Sequence, residues 1–143
     1  MKNNATWRLY LKMQNGFLTI VTTVDGTESR FSCKAEMEIM SLSAVLRYSD
    51  ENATVLIRVD GDGVTIERNG DYSMRLFLQE GKRTVGSLSI AGNTGDVGVE
   101  TKKIAYSIGK KSLLMQLHYT LIFGEEKQDM RIRLSSSIPS EEK

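Results

Sequence analysis

The sequence has one cysteine, one histidine and one proline among its 143 residues. Because Cys33 stands alone, no disulfide can form within the chain and no zinc site can be built from cysteines. A histidine-based metal site or a Ser/His/Asp triad would have to use His118, and no nucleophile-elbow motif surrounds any serine. The sequence therefore predicts no metal, no cofactor and no catalytic residue. Cys33 is interpreted as a small buried hydrophobe, and His118 as a surface residue.

Long apolar runs are also missing. No run approaches the length of about 18 apolar residues that a membrane-spanning helix needs. Residues 1–13 carry a polar or charged residue at every second or third position. A signal peptide needs a continuous apolar stretch, so this segment is not interpreted as one. We expect a soluble, cytoplasmic protein with a reduced thiol and no membrane insertion.

Neither sign of charge dominates the sequence. Its 19 basic and 18 acidic side chains give a formal net charge of +1 at pH 7. Basic pairs occur at Lys82-Arg83, Lys102-Lys103 and Lys110-Lys111. These pairs lack interleaved aromatic residues on which bases could stack, so they are interpreted as solvated charges at turns and strand edges. We therefore expect no nucleic-acid partner.

Turn dipeptides that contain glycine recur along the whole chain. Asn-Gly and Asp-Gly pairs supply the positive φ angles of tight hairpin turns. Here they follow one another at intervals of roughly ten residues, as in barrels and sandwiches of short strands. The predicted turns are at Asn15-Gly16, Asp25-Gly26, Ser49-Asp50-Glu51-Asn52, Asp60-Gly61, Asp62-Gly63, Asn69-Gly70, Gly81, Asn93-Thr94-Gly95, Gly109 and Gly124.

Apolar and polar residues alternate with period two between these turns, which is the pattern of half-buried strands. From Phe31 to Ile39, for example, the odd positions are apolar and the even ones polar. This parity predicts exposed side chains at Lys34, Glu36 and Glu38. It predicts buried, inward-facing side chains at Leu9, Phe31, Met37, Leu46, Ile57, Ile66, Leu76, Val99, Leu117 and Ile132.

The parity changes once within a predicted strand. Up to Thr101 the inward positions are odd, and from Ile104 onwards they are even. A β-bulge near Lys102-Lys103 would restore the register and bend the strand, as closure of a barrel requires. The sequence therefore predicts a bulge at this point.

These patterns predict an all-β fold with one domain over residues 1–143. Strands joined by tight turns pair antiparallel, so about 8–10 strands form an up-and-down meander. Closing such a sheet removes its exposed edges, which makes a barrel the first prediction and a two-layer sandwich the alternative. Residues 135–143 are polar and are predicted to form a frayed tail.

Several short motifs follow one another between Phe31 and Leu134. They are Leu46-Arg47-Tyr48-Ser49-Asp50-Glu51, Val64-Thr65-Ile66-Glu67-Arg68-Asn69-Gly70, Met74, Gly81, the stretch from Thr94 to Thr101 with Ile104, and Leu117-His118-Tyr119-Thr120-Leu121. In this order they resemble the YwiB-like family of small bacterial domains of unknown function. The segment around Gly86-Ser87-Leu88 departs from the family pattern, because it lacks an aromatic residue before the turn. The resemblance implies a calycin-type, lipocalin-like barrel and implies no activity or catalytic residue.

Few polar side chains share the inward parity. Arg68 is the most informative of them, because it follows Val64 and Ile66 in phase at the end of its strand. A guanidinium at a barrel mouth could bind a carboxylate or phosphate bidentately. Alternatively, it reaches solvent or pairs with a nearby aspartate. The candidate ligand-binding residues are Arg68, Tyr48, Thr101, Tyr106 and Tyr119.

The leading hypothesis is a non-enzymatic barrel that binds a small apolar or acidic amphiphilic ligand, with Arg68 facing the acidic group. The alternative is a protein-interaction module whose lumen is filled core and holds no ligand. An enzyme is the third choice, since the sequence shows no pair of nucleophile and base. A cavity of a few hundred Å³ within the lumen would favour the first hypothesis over the second.

Overall fold

The computed structural model describes residues 13–139, which form ten β-strands. The strands are β1 (Gln14–Val24), β2 (Thr27–Ile39), β3 (Ala44–Ser49), β4 (Ala53–Asp60), β5 (Gly63–Gly70), β6 (Tyr72–Leu78), β7 (Arg83–Ile90), β8 (Asn93–Ile108), β9 (Ser112–Phe123) and β10 (Glu126–Ser137). The predicted buried residue Leu9 lies outside the described residues. No helix in this part of the chain is long and apolar enough to cross a membrane.

Each strand pairs antiparallel with the next one along the chain, and β1 also pairs with β10. The sheet therefore closes into a ten-stranded barrel. The predicted up-and-down meander and its closure are confirmed. A register shift between Thr101 and Lys103, where β8 pairs with β9, also confirms the predicted bulge.

The connections between strands lie at the two ends of the barrel. Those that follow β1, β3, β5, β7 and β9 lie at one end, called here the Arg68 end because Arg68 lies near the last residues of β5. Those that follow the even-numbered strands lie at the opposite end. Aspartates stabilise turns at both ends: Asp50 Oδ1 accepts the backbone N–H of Asn52 at 2.8 Å, and Asp60 Oδ1 accepts that of Asp62 at 2.8 Å.

Two of the predicted turns are wrong. Asn93 already belongs to β8, and the turn before it is formed by Ala91 and Gly92, with φ angles of 52° and 83°. Asn15 and Gly16 lie inside β1. A Cβ at Gly16 would collide with the backbone carbonyl of Ser137 in β10. This glycine is therefore required by the close approach of two strands, and not by a turn.

The predicted frayed tail is also wrong in its first residues. Strand β10 continues to Ser137, which lies opposite Phe17 of β1. The hydroxyl of Ser136 is buried and donates to the backbone carbonyl of Phe17 at 2.9 Å. These residues are ordered because they pair with the beginning of β1. The pairing was not predicted, because Asn15-Gly16 had been interpreted as a turn.

The lumen of the barrel is filled by side chains of alternate residues. Eight of them expose none of their surface: Met37, Leu46, Val59, Val64, Leu76, Leu78, Val97 and Val99. A side chain that borders a water-sized void would expose surface to it, so the middle of the lumen is packed. Of the residues predicted to be buried, Ile57, Ile66, Leu117 and Ile132 are also buried.

Phe31 does not follow this prediction, since 37% of its surface is exposed. Its pairing explains why: β2 pairs with β3 only from Ala35 onwards, so the first half of β2 has no strand on that side. The Phe31 ring lies 6.1 Å from the ring of Tyr48. Lys34 is exposed as predicted, whereas Glu36 and Glu38 are half-buried. Glu36 is held there by an ion pair with Arg47 at 2.7 Å.

We predict that Leu117→Ala will lower the free energy of unfolding by about 2–5 kcal/mol, because it removes a buried side chain from the lumen. Leu114→Ala on the same strand is the matched control. That side chain is 53% exposed, so its loss should change stability by less than about 0.5 kcal/mol. Urea unfolding of both variants measures the difference. Equal losses would contradict the assigned faces of β9.

Candidate functional site

Arg68 lies near the last residues of β5, and its guanidinium contacts Asp71 and Tyr72 in the next few residues of the chain. Its Nη1 lies 2.9 Å from Asp71 Oδ1 and donates to the backbone carbonyl of Tyr72 at 2.8 Å. The guanidinium carbon lies 3.7 Å from the centre of the Tyr72 ring, a cation–π contact. Only 13% of the Arg68 side chain is exposed. These contacts fix the guanidinium at the rim, close to the lumen.

Asp71, the ionic partner of Arg68, is itself mostly in solvent. Its side chain is 57% exposed. The hydrogen bond from Arg68 lowers the pKa of Asp71 below its ordinary value. Asp71 is the single residue that connects β5 to β6, so its carboxylate lies at the end of the barrel and not within the core.

Two tyrosines lie on the inner surface: Tyr48, whose pKa Arg68 affects, and Tyr119, whose pKa Tyr48 affects. Burial raises the pKa of Tyr48 to about 12, with smaller contributions from Cys33 and Asp50, while Arg68 acts in the opposite direction. Burial also raises the pKa of Tyr119, which is only 2% exposed, and Tyr48 adds to this effect. Both phenols are therefore neutral hydrogen-bonding groups at physiological pH.

Thr101 completes this inner group. It lies opposite Tyr119 in the pairing of β8 with β9, and it is 3% exposed. Its Oγ1 is buried and has no hydrogen-bond partner among the described residues. An unpaired buried hydroxyl costs free energy, so a polar atom near Tyr119 would be favoured.

Tyr106, the fifth predicted site residue, does not join the others. It lies on β8 beyond the bulge, opposite Met115, and 40% of its surface is exposed. The structure thus links Arg68 to Tyr48 and Tyr48 to Tyr119. The backbone of Thr101 instead bonds to Gly81 and Lys82 in the connection after β6, at the opposite end, and Tyr106 lies further along β8. The period-two pattern predicts only that these five side chains face the lumen. It does not predict how far along the barrel axis each of them lies.

The lone cysteine and histidine have structural partners. Cys33 is half-buried, and burial raises the pKa of its thiol above the ordinary value, with Asp50 adding to the effect. His118 Nε2 lies 2.8 Å from Asp129 Oδ1 on the outside of the barrel. The bond to His118 lowers the pKa of Asp129. Residues 13–139 contain no group of three or more histidine, cysteine or acidic side chains that could hold a metal.

A second polar surface lies outside the barrel, on β2, β1, β10 and β9. Ladder pairing aligns its outward side chains in three rows. This surface, called here the exterior face, consists of the rows Ser32, Thr19, Ser135, Leu114; Arg30, Val21, Arg133, Gln116; and Glu28, Thr23, Arg131, His118, with Phe17 beside the first row. Val21 is only 6% exposed although it lies outside the core. It lies between Arg30 and Arg133, whose long side chains can cover it.

Two shallow recesses lie on the exterior face. They have volumes of about 280 and 290 Å³ and share Val21, Gln116 and Arg133. Arg30 lines the first recess, and Arg131 and Lys103 line the second. The recesses therefore form one continuous trough, bordered by four cationic side chains.

The exterior face was not predicted from the sequence. Its middle strand, β1, begins with Asn15-Gly16, which is typical of a turn. Its outward residues Phe17 and Val21 are apolar, which obscures the alternation of the strand. The available signal was the alternation of Arg131, Arg133 and Ser135 with apolar residues in the last strand.

The sequence profile of a domain of unknown function, DUF1934, matches residues 18–134, which is most of the described barrel. The chain belongs to this family. The match covers β2 to β9 in full, and most of β1 and β10. The DUF1934 assignment confirms the resemblance inferred from the short motifs.

A solved structure supports the DUF1934 assignment at the level of the fold. The crystal structure of the YwiB protein from Bacillus subtilis is similar to this chain with a TM-score of 0.78. The two share 14% sequence identity over 92% of this chain and 99% of that one. At this identity the likeness shows the barrel and not a shared site. No curated protein matches the chain.

The raised pKa of Tyr48 predicts a loss of stability in alkali. Between the ordinary value of 10.0 and about 12, the folded protein keeps a proton on Tyr48 that the unfolded chain has released. This contribution is fully present below about pH 10 and is lost as the pH rises towards about 12. Urea unfolding at several pH values should show this fall.

Tyr48→Phe should make the same alkaline fall shallower, because the variant has no phenol to deprotonate on unfolding. Tyr106→Phe is the control, since it removes a phenol that is 40% exposed. The control should keep the slope of the original protein. An unchanged slope in Tyr48→Phe would contradict the buried position of this hydroxyl.

Proposed function

We propose that this protein is a non-enzymatic binding domain that meets its partner on the outside of the barrel. The observation that carries the proposal is the excess of positive over negative side chains along the trough of the exterior face, where Arg30, Arg131, Arg133 and Lys103 outnumber Glu28. Within residues 13–139, neither Arg30 nor Arg133 has a carboxylate partner, although both border the same recess. Two guanidiniums on either side of one strand repel each other and attract an anionic partner.

The packed lumen supports the same choice. Its eight fully buried side chains leave no room for a ligand in the middle of the barrel. This filled core is what the interaction-module hypothesis from the sequence requires. In this proposal the barrel wall holds outward side chains in fixed rows, and the barrel acts in the cytoplasm, where a lone thiol stays reduced.

Binding of a polyanion tests the proposal. Heparin, a sulfated polyanion of no sequence, should bind the intact chain at low salt, and Arg30→Gln/Arg133→Gln should weaken this binding by about ten-fold or more. Titration calorimetry measures both affinities. The control is Arg58→Gln/Arg75→Gln, which removes the same charge from β4 and β6 on another part of the wall. An equal loss in the control would overturn the proposal, since net charge alone would then explain binding.

A small acidic ligand at the Arg68 end is the second candidate function. Two observations favour it: the carboxylate that binds Arg68 is 57% exposed, and Tyr48, whose pKa Arg68 affects, offers a phenol on the inner surface. In this arrangement the ligand carboxylate replaces Asp71 on the guanidinium. The apolar part of the ligand then lies against the half-buried side chains at the rim, such as Met74.

Opposite effects of two variants test this second candidate. Asp71→Asn frees the guanidinium and should strengthen binding of a medium-chain fatty acid several-fold, whereas Arg68→Met should abolish it. Asp62→Asn, in a turn at the opposite end, is the control. Fluorescence displacement of an anionic apolar dye measures the affinities. If neither Asp71→Asn nor Arg68→Met changes binding, the Arg68 end is not a ligand site.

A further inference from the structure

Arg30 and Arg133 lie far apart in the sequence, but closure of the barrel brings them to the two sides of one residue. Val21 pairs with Arg30 in β2 and with Arg133 in β10. Neighbouring strands lie about 4.8 Å apart, so the two arginine backbones are separated by about 10 Å. Both side chains are exposed. Together they present ten N–H donors, five on each guanidinium, to whatever occupies the trough.

The nearest row of the exterior face consists mostly of hydroxyls. Thr19 lies between Ser32 and Ser135, and its Oγ1 is 3.0 Å from Ser32 Oγ. Gln116 adds an amide beside Arg133. Hydroxyls and amides can donate to an anion without bringing charge of their own. The trough therefore combines two cations that have no ion pair within residues 13–139 with several neutral donors.

Two carboxylates lie beside the trough: Asp129, which is paired, and Glu28, which is exposed and lines the second recess. Asp129 binds His118 at 2.8 Å and Arg131 at 3.5 Å. Its backbone N–H donates to Asp25 at 2.8 Å, which fixes the turn beside it. Glu28 pairs with Thr23 in the third row, two residues from Arg30 on the same strand. Glu28 offsets one of the positive charges of Arg30, Arg133 and Lys103, so the trough keeps an excess of positive charge.

From this geometry we infer that the exterior face binds the phosphodiester backbone of a single-stranded nucleic acid, which deepens and rests on the proposed function. Arginine, serine, threonine and glutamine are the side chains that contact phosphate oxygens in nucleic-acid complexes. Guanidiniums bind phosphate bidentately, which gives direction as well as charge. The net charge of +1 had indicated no nucleic-acid partner. Net charge does not show local clustering, and the pairing of β1 with β2 and β10 brings cations from distant parts of the sequence together.

An acidic peptide fits this face less well. A peptide that binds a sheet gains most from adding a strand to a free edge. Strand β1 is paired on both sides along the whole trough, and the unpaired edge of the first half of β2 lies on the side of β2 away from β1. A peptide that added a strand to that edge would lie beside the trough and not in it. Within the trough, a peptide would depend on its side chains alone, whereas a nucleic acid carries one phosphate on every nucleotide.

An exposed ring favours a single strand over a duplex. Phe17 lies on β1 next to Lys34 and is 55% exposed. It lies on the same side of the strand as Val21. An exposed aromatic ring on a sheet provides a platform on which an unpaired base stacks. Bases within a duplex are already stacked and cannot use it.

The test uses the full chain and a fluorescein-labelled single strand of about 15 nucleotides and mixed sequence. Fluorescence anisotropy should show binding at about 50 mM salt that weakens strongly at about 200 mM. Arg30→Gln/Arg133→Gln should reduce the affinity about ten-fold or more and flatten the salt dependence. Phe17→Ala should reduce the affinity and leave the salt dependence unchanged, because stacking releases no counterions.

Controls separate this inference from the proposed function. Arg58→Gln/Arg75→Gln should keep the affinity of the original chain, and circular dichroism should show an intact barrel in all variants. Tighter binding to a duplex of the same sequence, or equal binding to a poly-glutamate peptide, would overturn the inference. If heparin binding depends on Arg30 and Arg133 but the single strand does not bind, the inference fails and the proposed function stands. If heparin binding does not depend on them, both fail.

Discussion

Dense packing inside the barrel is the constraint on which the rest of the structure depends. Because the side chains in the middle of the lumen are fully buried, nearly every second residue of the ten strands is apolar and must fit its neighbours. The alternate residues face outward and are free of this requirement. They can carry charge, hydroxyls or exposed rings at little cost in stability. In such a barrel the chemistry of binding is concentrated on the wall and the rims, where it can change without unfolding the core.

Most of the fold could be predicted from the sequence, because period-two alternation and turn glycines act locally. The bulge after Thr101 is the clearest case: a single change of parity required an extra residue, and the pairing of β8 with β9 contains it. Strand β1 could not be predicted in the same way. Gly16 has the composition of a turn, but it serves the close approach of β10. Local patterns cannot distinguish a glycine needed for a turn from one needed for contact with a distant strand.

The candidate site could be predicted only in part, for the same reason. Parity placed Arg68, Tyr48 and Tyr119 on the inner surface, and the structure links them in this order. Parity could not show that Asp71 and the Tyr72 ring occupy the guanidinium, because these contacts depend on how one short turn folds back. The proximity of Arg30 and Arg133 could not be predicted from local patterns at all. The two residues come close only because the first and last described strands pair.

The pairing of β1 with β10 also has a consequence for how the protein is made. Contacts between distant parts of a chain form slowly, because a long loop must close before they give any stabilisation. During synthesis on the ribosome, β1 to β9 emerge as an open, curling sheet, and β1 waits with one edge unpaired until β10 has been translated. An unpaired edge is a site for pairing with other nascent chains. The pairing of β1 with β10 is therefore the last step of assembly, and it closes the edge at which two unfinished chains could pair.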